Sequence, residues 1–270
     1  MALLSGCAGL FFYPEKELIR TPDQIGLDYE DVRFASIDGT QLHGWFLPAQ
    51  IDVKGTIIFY HGNAENISTH IGAVYWLPPE GYNVFLFDYR GYGRSGGKTN
   101  IDGVHLDARA ALQYLHDRTD IDPARLVVFG QSLGGSIGLY TAATSGIQLA
   151  AVVVESPFSS YRKILREKLK AFIFTWPFQW PLSYTVTDRY SPLAVISELK
   201  APLLIIHGDA DTIVPVNHAQ DLYQAATGDK TLWIVKGGGH TSAFTQYRQE
   251  YRPRLLLYLE EKLLMESSGD

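Results

Sequence analysis

The sequence predicts an α/β fold: a mainly parallel, eight-stranded sheet with helices on both faces and a short cap insertion. Three observations carry this expectation. Apolar runs recur along the chain, among them "TIIFY", "YNVFLFD", "RLVVF", "AAVVV" and "PLLIIH". Within them the apolar residues are continuous rather than alternating, as expected of strands covered on both faces. Helix-type segments separate them, which makes successive runs parallel strands joined by crossovers. In such sheets chemistry gathers at the carboxyl ends of the strands.

Residues 1–28 read as an N-terminal arm and residues 29–270 as the main domain. In chain order, "YEDVRFAS" and "LHGWFLP" flank Asp38-Gly39, a dipeptide favoured in tight hairpins. "GTIIFYH" is followed by a helix-type segment at 68–77, "YNVFLFD" by one at 102–118, and "RLVVFG" by one at 134–144. "LAAVVVES" closes this series. Past an interruption, "PLLIIHG" leads to a helix near 216–226, and "TLWIVKG" to a final helix from about 251.

The interruption, about 157–200, has a different composition and reads as a cap inserted into the domain. Tyr161, Ile164, Leu165, Leu169, Phe172 and Ile173 fall on one helical stripe, with Arg162, Lys163, Arg166 and Lys170 opposite. In "TWPFQWPL", Pro177 and Pro181 exclude a long helix and crowd Trp176, Phe178 and Trp180 together. Three roles suit this segment: the aromatics line an acyl pocket, they pack the cap onto the core, or the basic amphipathic face rests on a membrane.

Composition narrows the function. At 270 residues and 46% apolar, the chain can bury one sizeable core. A net charge of −6 without a basic block argues against a nucleic-acid surface and points to a small or uncharged substrate. With one cysteine there is no internal disulfide and no paired-cysteine zinc pattern, so no metal is expected. That cysteine ends Leu4-Ser5-Gly6-Cys7, which resembles the bacterial lipobox. The apolar stretch before Cys7 is too short for a signal peptide, so lipidation requires a longer leader. The other reading is an apolar arm packed on the domain. Localisation divides accordingly between a membrane-anchored lipoprotein and a cytoplasmic protein.

Gly130-Gln131-Ser132-Leu133-Gly134 forms a G-x-S-x-G nucleophile elbow in the strand-then-helix context it requires. A serine hydroxyl needs a base to take its proton, and the base needs an acid to hold its tautomer. With this elbow the acid and then the histidine follow the serine in sequence. Of eight histidines, His240 in "GGHTSAF" fits. His43, His61, His70, His105 and His116 precede or lie far from the position, His207 ends a buried strand, and His218 sits on a helix-type segment. Asp209 and Asp211 in "DADTIVP" both suit the acid, and spacing does not separate them. Two backbone N–H groups should face the developing oxyanion: that of Leu133, after the nucleophile, and that of Asn63 in "HGNAEN".

Taken with "DYRGYGRSGG" and "HGDADTIVP", these motifs make nearly the whole chain resemble the α/β-hydrolase family, particularly the branch with acyl-protein thioesterases and monoacylglycerol or lysophospholipid lipases. The resemblance implies Asp211 as the acid, with Asp209 capping a turn. It also implies structural roles for Arg90, Gly91 and Gly93. The function expected is a cofactor-free serine hydrolase acting on carboxylic esters or thioesters of small, acyl or lipid-like substrates. The alternatives are a serine peptidase or amidase, and a catalytically silent binding module.

Overall fold

The apolar runs become strands. In the computed structural model, which describes residues 11–170 and 174–266, β1 (Tyr13–Pro14) and β5 (Ala64–Glu65) form a short parallel pair. The main sheet contains β2 (Glu30–Ala35), β3 (Gln41–Leu47), β4 (Gly55–Tyr60), β6 (Tyr82–Asp88), β7 (Leu126–Gln131), β8 (Ala151–Glu155), β9 (Leu203–Gly208) and β10 (Lys230–Val235). Its order is β10-β9-β8-β7-β4-β6-β3-β2. Strand β3 runs antiparallel to both β2 and β6, and the other neighbours are parallel.

Seven α-helices lie among the described residues: α1 (Ile67–His70), α2 (Ile101–His116), α3 (Leu133–Thr144), α4 (Tyr161–Lys170), α5 (Gln179–Ser183), α6 (Asn217–Ala225) and α7 (Arg248–Glu266). Because successive strand residues face opposite ways, the sheet divides the core in two. Ile58 and Tyr60 join Val104 and Ala108 of α2, Ile137 of α3 and Leu222 of α6. Ile57 and Phe59 join Ile67 of α1 with Leu255 and Leu259 of α7 on the other side. Continuous apolar strands are what such double coverage demands.

The hairpin of β2 and β3 turns through Gly39 at φ 84°. The helix expected at 68–77 is instead the single turn of α1 followed by short 3-10 turns at Ile71–Ala73 and Pro78–Glu80. Asn66 caps α1 by accepting from the Ser68 N–H, and Pro78 opens the later turn that leads into β6. Arg90 binds Asp107 at 2.8 Å and Asp38 at 2.7 Å, tying the loop after β6 to α2 and the hairpin.

Between β8 and β9 come α4, a 3-10 turn at Trp176–Phe178, and α5. Helix α4 buries Tyr161, Ile164 and Leu165, the start of the anticipated stripe. Phe172 and Ile173, like Cys7, lie outside the described residues.

Candidate active site

Gln131 ends β7 and Leu133 begins α3, so Ser132 is the one residue between strand and helix. Its φ of 54° and ψ of −120° belong to a region that L-residues rarely adopt. The flanking glycines make this approach sterically feasible. A Cβ at Gly130 would meet the Gly134 carbonyl oxygen at 2.5 Å, and one at Gly134 would run into the carbonyl oxygens of Tyr60 and His61. The Ser132 N–H donates to the Glu155 carbonyl at 2.8 Å, anchoring the turn to β8.

His240 stands in the loop after β10, with Nε2 2.9 Å from Ser132 Oγ and Nδ1 2.7 Å from Asp211 Oδ2. With its Nδ1–H donated to the carboxylate, the ring presents an acceptor to the serine hydroxyl. Asp211, in the loop after β9, has a fully buried side chain. Its Oδ1 accepts the N–H groups of Ile213 and Val214, each at 2.9 Å. Burial pushes its carboxyl up, but the hydrogen bond and charge of His240, together with those two N–H groups, outweigh it and hold the acid below its ordinary range. Asp209 is engaged elsewhere, accepting the Gly237 N–H at 2.6 Å and linking the two loops.

Asn63 and Leu133 line one cavity with Ser132. Leu133 is the first residue of α3, where backbone N–H groups have no intrahelical acceptor. The Gly62–Asn63 peptide is oriented by His61, whose Nδ1–H donates to the Gly62 carbonyl at 2.7 Å. In a trans peptide the Asn63 N–H then points the opposite way. Burial, reinforced by nearby His70, keeps His61 well below its ordinary pKa, so its ring is neutral. The Asn63 carbonyl accepts from Tyr13 N–H at 2.8 Å and Tyr92 OH at 2.7 Å.

The cavity has a volume of about 40 Å³ and is walled by Phe11, Phe158, Ile164, Lys168, Ile213 and Val214. The structure does not bring Trp176, Phe178 and Trp180 to it, which corrects the expectation that they line an acyl pocket. They are 54%, 57% and 58% exposed. The prolines break this stretch into short turns, and Arg166 stacks on Trp180 at 4.4 Å from the cap's own helix. The actual lining comes from segments remote in sequence, Phe11 among them. Its signal was the "FFYP" run in the N-terminal arm. Also unanticipated is Glu155, a carboxylate that ends the all-apolar β8 and is 2% exposed. No cluster of His, Cys, Asp or Glu suited to a metal occurs among the described residues.

The family model described as serine aminopeptidase, S33, matches residues 51–196 and 191–244. The chain belongs to the α/β-hydrolase family. This α/β-hydrolase is 35% identical over 256 residues to the uncharacterized protein YfhR of Escherichia coli O157:H7, covering 92% of this chain and 86% of that protein. It is 37% identical over 252 residues to the α/β-hydrolase domain-containing protein WAV2 of Arabidopsis thaliana, covering 89% and 82%. In fold it matches the Pyrococcus furiosus esterase Pf2001 with a TM-score of 0.78 at 24% identity, covering 94% of this chain and 98% of that one.

Proposed function

We propose that this α/β-hydrolase is a serine esterase acting on small acyl esters. The observation that carries the reading is the continuous hydrogen-bonded chain from Ser132 Oγ through His240 to Asp211. In this mechanism His240 Nε2 takes the serine proton as Oγ attacks the ester carbonyl, and the Asn63 and Leu133 N–H groups stabilise the oxyanion. Buried, ionised Asp211 stabilises the imidazolium, which then protonates the departing alkoxide. A water activated by His240 releases the acid from Ser132. These steps use only the chain's own residues.

Cavity size argues for a short acyl group. The cavity of about 40 Å³ beside Ser132 is narrow and walled mostly by Phe11, Phe158, Ile164, Ile213 and Val214, which suits a short apolar acyl group. This supports small esters over the lipid-like substrates anticipated from the cap aromatics. An aminopeptidase must hold a free ammonium group, and among the described residues the cavity wall supplies Lys168 and no carboxylate, which favours an ester over an amino-terminal peptide. The test is a panel of acetyl, butyryl, octanoyl and aminoacyl-anilide substrates on wild type and Ser132→Ala. Turnover should depend on Ser132 and fall from acetyl or butyryl to octanoyl by at least about 10-fold, with anilides slowest. Octanoyl preference would overturn the size argument, and faster anilide cleavage the esterase reading.

A further inference from the structure

A second buried carboxylate lies behind the three residues just described and takes no part in the proton transfers assigned to them. Glu155 Oε1 accepts the Ala243 N–H at 2.8 Å, three residues beyond His240, and both residues are buried. Its Oε2 accepts Gln131 Nε2 at 2.6 Å, the side chain immediately before Ser132. Gln131 and Glu155 are direct partners in the pairing of β7 with β8. The Glu155 backbone carbonyl also receives the Ser132 N–H. One residue thus joins the nucleophile's strand to the loop that carries the base. The next residue, Ser156, has a φ of 52° and accepts the Thr241 N–H on its Oγ at 3.3 Å, a second tie between the same two segments, at the residue directly after His240.

On the esterase reading above, we propose that Glu155 is a positioning residue. Its carboxylate fixes the backbone beyond His240 relative to the strand ending at Gln131, and so sets the imidazole at hydrogen-bond distance from Ser132. Gln131 Nε2 and the Ala243 N–H both donate to the carboxylate, the arrangement an ionised acid requires. Burial opposes that ionisation and pushes the carboxyl up to about 7, with the Asp211 charge acting the same way and His240, Gln131 and Ala243 opposing. A buried acid retained at this cost, in contact with both sides of the site, fits a role in function better than one in stability.

The experiment compares Glu155→Gln and Glu155→Ala with wild type and Ser132→Ala, using a short ester and a fluorophosphonate label to count competent sites. Glu155→Gln keeps the shape and an acceptor for Ala243, so kcat should fall by less than about 10-fold. Glu155→Ala releases both sides, so kcat should fall by about 10²-fold, as a misplacement near 1 Å does, with KM changed less than twofold. It should still label to full stoichiometry, only more slowly, whereas a merely structural role would reduce the labelled fraction. A Glu155→Ala enzyme within twofold of wild type, or one whose loss equals its unlabelled fraction, would overturn the proposal. If Ser132→Ala retains full activity, the esterase reading itself fails. If Ser132→Ala is inactive while Glu155→Ala is unimpaired, only the positioning role fails.

Discussion

The loops carrying Ser132, Asp211 and His240 and the aromatic part of the cap at 174–184 both follow carboxyl ends of sheet strands, yet they are built oppositely. In the loops, polar groups are paired and hidden: Asp211 is 6% exposed and takes three hydrogen bonds, and Glu155 is 2% exposed and takes two through its carboxylate. In residues 174–184 of the cap, aromatic groups are bare, with Phe174 89% exposed and four further aromatics above half. The difference teaches where geometry is enforced. Hydrogen bonds between backbone and buried carboxylates fix Ser132, His240 and Asp211 relative to one another, whereas the aromatics of 174–184 neither fill the core nor wall the cavity. The cap reaches the site through Phe158 and through α4, which contributes Ile164 and Lys168.

The largest effect that would sharpen this contrast is expected at Asp211. Asp211→Asn preserves shape but favours the wrong imidazole tautomer, so kcat should drop by about 10⁴-fold in steady-state assays while the circular dichroism spectrum is unchanged. Retention of more than a tenth of wild-type activity would break the distinction drawn between Asp211 and its neighbours.

Next in size is the pH dependence of stability at Glu155. Its folded-state pKa of about 7 lies above the ordinary 4.5, so the folded protein holds this proton more tightly than the unfolded chain does. Its contribution to stability is full below about pH 4.5 and declines as pH rises to about 7. Glu155→Gln removes that decline. Urea unfolding should show the variant gaining on wild type between pH 4.5 and 7.5, by up to about 3 kcal/mol. A constant difference across this window would contradict it.

Much of this architecture was legible in the sequence, for identifiable reasons. Continuous apolar strands announce a doubly covered sheet, and the elbow marks itself because only glycine fits at 130 and 134. His240 could be singled out by chain order, and it lies within hydrogen-bond reach of Ser132. The choice between Asp209 and Asp211 could not be read from spacing, because it is made by which backbone N–H groups each carboxylate meets. Asp209 accepts from Gly237, and Asp211 from Ile213 and Val214. Phe11, Phe158 and Val214 converge only through tertiary packing, so no local pattern joins them. Trp176, Phe178 and Trp180 misled because composition supplies apolar area without its direction. Glu155 carried a readable signal in "AVVVE", a charge closing an otherwise apolar buried strand.

Smaller effects test the remaining parts of the comparison. Asp209→Ala should cost about 1 kcal/mol of stability by loss of the Gly237 hydrogen bond and leave kcat within threefold. Replacing Trp176, Phe178 and Trp180 together by serine should change short-ester kcat/KM by less than twofold. A loss beyond about 10-fold in that triple variant would return these aromatics to the substrate site.

The central claim, that Ser132 is a nucleophile activated by His240, is tested most directly by fluorophosphonate labelling followed by peptide mass spectrometry. The account predicts one adduct, on Ser132, at a rate that His240→Ala lowers by at least about 10³-fold. An adduct elsewhere, or equal labelling rates in wild type and His240→Ala, would contradict it.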